Sequence, residues 1–294
     1  MADYSYPAFL ASELTETESN ADTALFEVIP CPLEKTVSYG SGTAAGPSAL
    51  LEASQELERY DGRGFPLEHG IITSDPIDCD QTIEEVMLAL RRRTAESVKA
   101  GRIPVTLGGE HSLSYAAIMG VVDALQKPIG ILQIDAHADL RNAYRGNRHS
   151  HASVMHLCAV EEKLPLMQLG IRALCIEEHE ARVKSEHIHY IDAEKLVTNN
   201  ITEFDLPEGF PEDVYVTFDV DGLDPSIMPA TGTPVPGGLA YYQALSLIED
   251  VLTGPRCVGF DVVELAPMAD QWAWDFTAAS LTYRLMGLVA ASRE

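Results

Sequence analysis

Within ten residues, Ile131-Leu-Gln-Ile-Asp135-Ala-His137-Ala-Asp139-Leu140, an apolar run passes into three side chains of metal-ligand type. The run reads as a buried strand. If the strand continues, the i, i+2, i+4 spacing puts Asp135, His137 and Asp139 on one face, because successive side chains alternate sides. Ala136 and Ala138 then face the other way and admit a close neighbour. Two carboxylates and an imidazole at the end of an apolar strand are hard to explain as packing.

Two further segments have the same build. Gly108-Gly-Glu-His111-Ser112 follows the apolar run 103–107. Its glycines permit a tight turn, which sets His111 at a strand tip. Ser112 reads as the N-cap of the next helix, and Glu110 as a structural residue holding a neighbour by hydrogen bonds. Phe218-Asp219-Val-Asp221-Gly-Leu-Asp224-Pro225 follows the run 214–218 and again sets two carboxylates, Asp219 and Asp221, at i and i+2. Asp224, before proline, reads as a turn former.

Unpaired carboxylates at buried strand ends are costly and call for cations. Four Asp and two His without thiolates suit Mn²⁺, with Fe²⁺, Co²⁺ or Ni²⁺ as competitors. Six ligands exceed the needs of one open catalytic metal. Two ions roughly 3.5 Å apart, sharing carboxylates and a hydroxide, fit better. Four carboxylates balance two divalent ions. With the hydroxide the site carries about one net negative charge, which welcomes a cation bearing an electrophilic carbon.

The elements that must carry these residues alternate along the chain. Strands are expected at 24–29, 70–73, 103–107, 128–134, 166–171, 188–191, 214–218 and 257–260. Helices are expected at 47–57, 81–100, 112–125, 152–161, 240–253 and 271–290. Such alternation implies a mostly parallel sheet covered on both faces, with ligands beyond the carboxyl ends of the strands. Residues 1–22 are polar and acidic and read as an arm or a poorly ordered start. Residues 23–294, with no linker or repeat, read as a single domain.

The net charge of −25 argues against nucleic-acid binding, which needs a basic stripe. It is compatible with drawing in a cationic substrate, and equally with plain solubility. Five scattered cysteines without CxxC spacing suit reduced thiols in a cytoplasmic protein. No secretory leader is evident and no apolar run is long enough to span a bilayer.

The sequence resembles the ureohydrolase family of arginases and agmatinases. The likeness rests on Gly108-Gly-Glu-His-Ser112, Asp135-Ala-His-Ala-Asp139, Ser150-His151-Ala152, Phe218-Asp-Val-Asp-Gly-Leu-Asp-Pro225, Ala230-Thr-Gly-Thr-Pro-Val-Pro-Gly-Gly238 and Gly259-Phe-Asp-Val-Val-Glu264. These motifs come in family order, and the likeness covers about residues 25–290. The resemblance implies a three-layer α/β/α fold with a sheet of about eight strands, two Mn²⁺ per subunit, and a homo-oligomer, trimer or hexamer. It also implies the ligand sets. One metal takes His111, Asp135, Asp139 and Asp219, and the other Asp135, His137, Asp219 and Asp221, with Asp135 and Asp219 bridging. Asp139 accepts a hydrogen bond from the hydroxide, Glu264 pairs with the substrate guanidinium, His151 protonates the leaving amine, and Thr233 hydrogen-bonds the substrate head. His149 competes with His151 for the proton because it lies in the same loop, while His156, His187 and His189 match no role.

Leu140-Arg141 and a short loop to Ser150-His151 resemble the agmatinase branch, so the expected reaction is agmatine to putrescine and urea. One departure concerns the tail. Loop 141–149 has no acidic residue and carries Arg141, Arg145 and Arg148. An inward arginine would favour a carboxylate tail, as in 4-guanidinobutanoate; arginines in subunit contacts would leave agmatine in place. Guanidinopropionate, guanidine and arginine are the remaining guanidino candidates. Two rivals come from other classes. Ligands for two metals plus Glu264 stand against a single-zinc deacetylase on a related fold, and the complete ligand set stands against a non-catalytic homologue.

Overall fold

The computed structural model describes residues 6–293. Eight parallel strands form one sheet in the order β2-β1-β3-β8-β7-β4-β5-β6. They are β1 Phe26–Cys31, β2 Ile71–Thr73, β3 Ile103–Gly108, β4 Gly130–Ile134, β5 Leu166–Leu169, β6 Ile188–Ile191, β7 Asp213–Asp219 and β8 Arg256–Val263. The helices are α1 Gly46–Ala53, α2 Ile83–Lys99, α3 Ser114–Leu125, α4 Ile176–Lys184, α5 Ala193–Thr198, α6 Tyr241–Val251 and α7 Trp272–Ala291.

The three expected layers follow from strand alternation. Val28, Leu132, Ile134, Val216 and Phe218 face one apolar cluster together with α1, α6 and α7. Ile29, Cys31, Ile131 and Tyr215 face a second cluster with α2 and α3. Both faces of the sheet are covered, which is why its strands read as continuous apolar runs rather than alternating ones.

Chain order explains where the chemistry lies. After β3 the chain jumps to β4, moves outward through β5 and β6, then returns to insert β7 and β8 between β4 and β3. The four central strands are therefore β3, β8, β7 and β4. Their carboxyl ends open on one crevice, the usual place for ligands in such sheets.

Several expected elements shift. β1 begins and ends two residues later than expected, and β8 is longer at both ends. The helix expected over 152–161 is instead a 3₁₀ turn, His151–Ser153, and a π-helix, His156–Glu161. Its early N–H groups are diverted, since Met155 N and His156 N both donate to the Asp139 carbonyl (3.0 and 3.1 Å). Helix α4 escapes a periodicity reading because its pattern is inverted. Ile176 and Val183 are exposed, whereas Glu178 and Arg182 are buried. Ser112 does not cap α3; it lies inside the 3₁₀ turn His111–Leu113, and its hydroxyl donates to Glu110.

The amino-terminal segment is held against the domain from residue 9. Phe9 and Leu10 are fully buried in the cluster of α1 and α7. Leu10 N donates to Ser54 Oγ (2.9 Å), Ile71 N to the Glu18 carbonyl (2.8 Å), and Glu18 pairs with Arg59 at 2.6 Å. From residue 9 the segment is thus an ordered arm and not a poorly ordered start, because its apolar side chains are buried; residues 1–5 of the expected stretch lie outside the described residues. Among the described residues, no helix is long and apolar enough to cross a membrane.

Candidate dinuclear metal site

The ligand residues converge by two different local geometries, only one of them a strand end. Asp135 directly follows β4, and its N–H still donates to Leu169 of β5. His137 keeps an isolated parallel bridge to Ala173. At Asp139 the backbone turns left-handed (φ 53°), so its carboxylate reaches the crevice by a bend, not by strand alternation. Asp219 and Asp221 likewise do not share a pleat. Residues Val220–Gly222 form a 3₁₀ turn in which Asp221 N donates to Asp219 Oδ1 (2.9 Å). Gly222 is required there, since a Cβ would come within 2.9 Å of Asp135 N. Gly109 is required after β3, where a Cβ would meet the Leu33 carbonyl at 2.0 Å.

The result is two overlapping ligand groups that share Asp135: His111, Asp135 and Asp139, and Asp135, His137 and Asp221. His111 Nδ1 lies 3.2 Å from Asp135, 3.0 Å from Asp139 and 3.4 Å from Asp219. His137 Nδ1 lies 3.0 Å from Asp221 and 3.6 Å from Asp135.

One buried atom tests whether this cluster fits a metal. His111 Nδ1 is buried and makes no hydrogen bond. Its other nitrogen, Nε2, meets Thr217 Oγ1 at 2.8 Å, and that hydroxyl donates onward to Asp261 (2.7 Å). Thr217 has spent its only proton, so Nε2 carries a proton and Nδ1 faces the three carboxylates. Against the cost of burial, Asp135, Asp139 and Asp219 raise the His111 pKa well above its ordinary value, and a cation among them would take the proton's place at Nδ1. Asp261 is held in turn by the Tyr215 hydroxyl (3.0 Å), and Asp135 by Gln133 Nε2 (2.7 Å).

The electrostatics agree. Burial and the nearby Asp135 charge push the Asp139 carboxyl up to about 7. Burial and Asp221 push Asp219 well above the carboxylate range. Burial opposes charge on His137, yet the Asp221 and Asp135 carboxylates raise it to about 12. Burial pushes Asp135 up as well, but the His111 and His137 imidazoles beside it outweigh that and draw the group down. Asp139 and Asp219 therefore hold protons more tightly than ordinary carboxyls, and cations bound among them would displace those protons.

Glu264 follows β8 with a left-handed backbone (φ 64°). Its N–H donates to the Gly109 carbonyl (2.8 Å), and its carboxylate accepts the His111 N–H at 2.6 Å. Burial pushes this carboxyl up to about 8. A cavity of about 160 Å³ brings Glu264 together with His111, His137, Asp139, Asp219, His151 and Thr233. The Thr233 hydroxyl lies 3.5 Å from Asp221.

His151 is oriented by Thr36, whose hydroxyl donates to Glu110 (2.8 Å) and accepts the His151 N–H (3.0 Å). Burial holds the imidazole below its ordinary pKa. His149, the competing histidine, does not line the cavity and lies tilted against Tyr115 with ring centroids 6.2 Å apart. Glu110 holds the loop that carries Thr36, accepting from Lys35 N and Thr36 N at 2.7 and 2.6 Å.

Other residues escaped the sequence reading. Tyr144 lines the cavity edge-on to His151 (5.8 Å), with the Arg141 and Arg145 guanidiniums 5.2 and 5.4 Å from its ring. Arg172 collects the carbonyls of Gly170, Asp221, Gly222, Leu223 and Val235, which pins the Asp221 turn. Neither belongs to a strand-end motif, so residue type and spacing carried no signal.

A parallel sheet covered on both faces, with a buried Asp and His cluster at its central strand ends that could hold metal ions, defines a class of metal-dependent hydrolases. The arginase family model matches residues 24–287, and the chain belongs to that family of ureohydrolases. The N(1)-aminopropylagmatine ureohydrolase of Synechocystis is 35% identical, covering 97% of this chain and 95% of that one. The enzyme of the same name from Thermus thermophilus is 34% identical over 93% of each chain. The structure of an agmatine ureohydrolase of Thermoplasma volcanium superposes with a TM-score of 0.79 at 27% identity, covering 97% of this chain and 93% of that one.

Proposed function

We propose that the chain, through a single catalytic domain over residues 23–294, hydrolyses a linear guanidino-alkylamine to urea and an amine at two Mn²⁺ ions. The observation that carries this reading is the shared cavity of Glu264 and the ligand cluster. A guanidinium paired with Glu264 presents its carbon beside the ligands. The planar fork suits a bidentate carboxylate pair.

His111, Asp135, His137, Asp139, Asp219 and Asp221 would hold the ions. Bound divalent ions supply a nucleophile from water at neutral pH. The chain's own residues do the rest. Glu264 orients the guanidinium and balances its charge. Asp139 accepts a hydrogen bond from the attacking oxygen. Thr233 hydrogen-bonds the substrate head. His151, with Nδ1 facing Thr36, delivers a proton from Nε2 to the leaving amine. The donor set is oxygen and nitrogen only, which supports Mn²⁺ with Ni²⁺, Co²⁺ or Fe²⁺ as competitors.

The tail reading departs from the expectation of agmatine as the best substrate. Several relatives are named for N(1)-aminopropylagmatine, and an agmatinase of Chromobacterium violaceum is 34% identical over 82% of this chain. A second cavity of about 230 Å³ shares His137, Asp139, Arg141 and Ala152 with the first and reaches Glu178. Room beyond the reacting end suits the longer tail for which those relatives are named, so aminopropylagmatine is the preferred substrate and agmatine the shorter one. We read the protein as a cytoplasmic homo-oligomer, trimer or hexamer, consistent with five free thiols.

A kinetic panel tests this. Aminopropylagmatine, agmatine, arginine, 4-guanidinobutanoate, guanidinopropionate and guanidine are compared by kcat/KM with Mn²⁺ and then Ni²⁺. The two amines should lead. A preference for guanidinobutanoate would assign Arg141 to a carboxylate tail and overturn the amine reading.

A further inference from the structure

Outside the cavity, on its β1 side, two sulfurs meet. Cys31, the last residue of β1, is fully buried, and its Sγ lies 3.9 Å from Sγ of Cys79. Cys79 is half-buried in the loop between β2 and α2. The two segments are joined a second time, because Lys35 Nζ donates to the Gln81 carbonyl.

The segment from Cys31 to Thr36 is also a wall of the site. The Cys31 carbonyl accepts Gly109 N (2.9 Å), and the Leu33 carbonyl accepts Glu110 N (2.7 Å). Thr36, at the other end, carries His151 and Glu110 as described above. A change at the sulfurs thus has a bonded route to the histidine that delivers the proton.

We propose that Cys31 and Cys79 are a peroxide-oxidisable dithiol whose disulfide slows hydrolysis by shifting the segment that holds Thr36 and His151. A disulfide requires the sulfurs to close by roughly 2 Å. Cys31 is fixed by its pairing in the sheet, opposite Gly108. The movement therefore falls on the loop at Cys79, and Gln81 in that loop pulls Lys35, the neighbour of Thr36.

The chemistry balances with one peroxide. The Cys79 sulfur attacks a peroxide oxygen; the O–O bond breaks, and the departing hydroxide takes the Cys79 proton as water. The Cys31 sulfur then attacks the Cys79 sulfenic sulfur; the S–O bond breaks, and that hydroxide takes the Cys31 proton as a second water. Two thiols are oxidised to one disulfide, and both peroxide oxygens are reduced to water. The hydrogen bond with Cys79 and burial push the Cys31 thiol up, which leaves the more accessible Cys79 to meet the oxidant first.

The slowing rests on the hydrolase reading above, but the dithiol can be read without it. Full-length, Mn²⁺-loaded protein is treated with hydrogen peroxide, quenched, denatured, thiol-titrated and peptide-mapped. Titratable thiols should fall from five to three, with a Cys31–Cys79 linked peptide. Urea release should fall in proportion to that peptide and return with dithiothreitol. Cys79→Ser should match the reduced wild type and ignore the same peroxide dose. Five thiols retained, or a link between other cysteines, overturns the site. The correct link with unchanged urea release overturns its coupling to His151. A protein that releases no urea even when reduced counts against the hydrolase reading instead, while the thiol count still decides the dithiol.

Discussion

Asp135 and Asp219 are side by side as the ends of adjacent strands: the last rung shared by β4 and β7 is Ile134 opposite Phe218, and these two aspartates come next. Sheet register, which is costly to slip once both faces are buried, thereby delivers two carboxylates to one spot. Their mutual repulsion at full burial is what a pair of divalent ions would relieve.

Asp135→Asn removes the charge shared by both ligand groups while keeping the side-chain shape. It also turns an amide donor toward Gln133 Nε2 or His137 N, both of which now donate to the carboxylate (2.7 and 2.6 Å). Bound Mn²⁺, measured by elemental analysis, should fall below two per chain, and metal-dependent urea release should vanish. Full activity in this variant would sink the dinuclear reading.

Glu264→Gln keeps the volume and loses the ionic half of the guanidinium pair. Hydrogen bonds to charged groups contribute about 1.5–3 kcal/mol, so kcat/KM should drop roughly ten- to a hundredfold. Metal content should stay at the wild-type level. An unchanged kcat/KM would show that the guanidinium sits elsewhere.

His151→Asn should lower kcat by about 10²–10⁴, the usual contribution of a positioned proton donor. KM and metal content should move little, because His151 touches Thr36 and not the ligand atoms. If His149→Asn produced the larger loss, the proton role would pass to that residue.

The three loop arginines should separate. Arg148 is paired with Glu161, and Arg145 donates to the Ser38 carbonyl at 3.4 Å. Of the three, only Arg141 lines both cavities. Arg141→Ala should change the aminopropylagmatine-to-agmatine ratio of kcat/KM; Arg148→Ala should leave it alone. Equal ratios in both variants would remove the loop from substrate choice.

Acid should release the amino-terminal segment. The Arg59 guanidinium, with hydrogen bonds from Thr15, holds the Glu18 carboxyl at about 2, below its ordinary 4.5. A depressed pKa stabilises above the unfolded value and loses that contribution as pH falls from about 4.5 through 2. The pair is partly exposed, so its effect is local and screened by salt. The hydrogen-exchange protection factor at Ile71 N, which donates to the Glu18 carbonyl, should fall over that window. In Glu18→Gln it should be low already at neutral pH. Equal protection in both proteins would refute the clasp.

Much of this site was legible because strands buried on both faces are apolar, so a carboxylate or imidazole at their ends stands out. Asp135, Asp219, His111 and Glu264 were found that way or through the motifs around them. Alternation misjudged how Asp139 and Asp221 arrive. The first needs a left-handed bend and the second a 3₁₀ turn, and neither conformation has a periodic signature. Helix α4 was missed for a related reason, since its buried positions are Glu178 and Arg182. A hydrophobicity pattern sees only apolar burial.

The sequence alone determined the candidate ligand types, the strand ends that bear them and the family, since these depend on residue identity and short spacing. Tertiary structure decided which atoms face one another. It turned Nδ1 of His111 toward the carboxylates by holding Nε2 on Thr217 and Asp261, set His151 in the cavity and His149 against Tyr115, and turned Arg148 outward. It also brought Cys31 to Cys79. Each of these depends on strand order and on loops crossing between distant segments, and contacts between distant segments are set by how the layers close, not by local pattern.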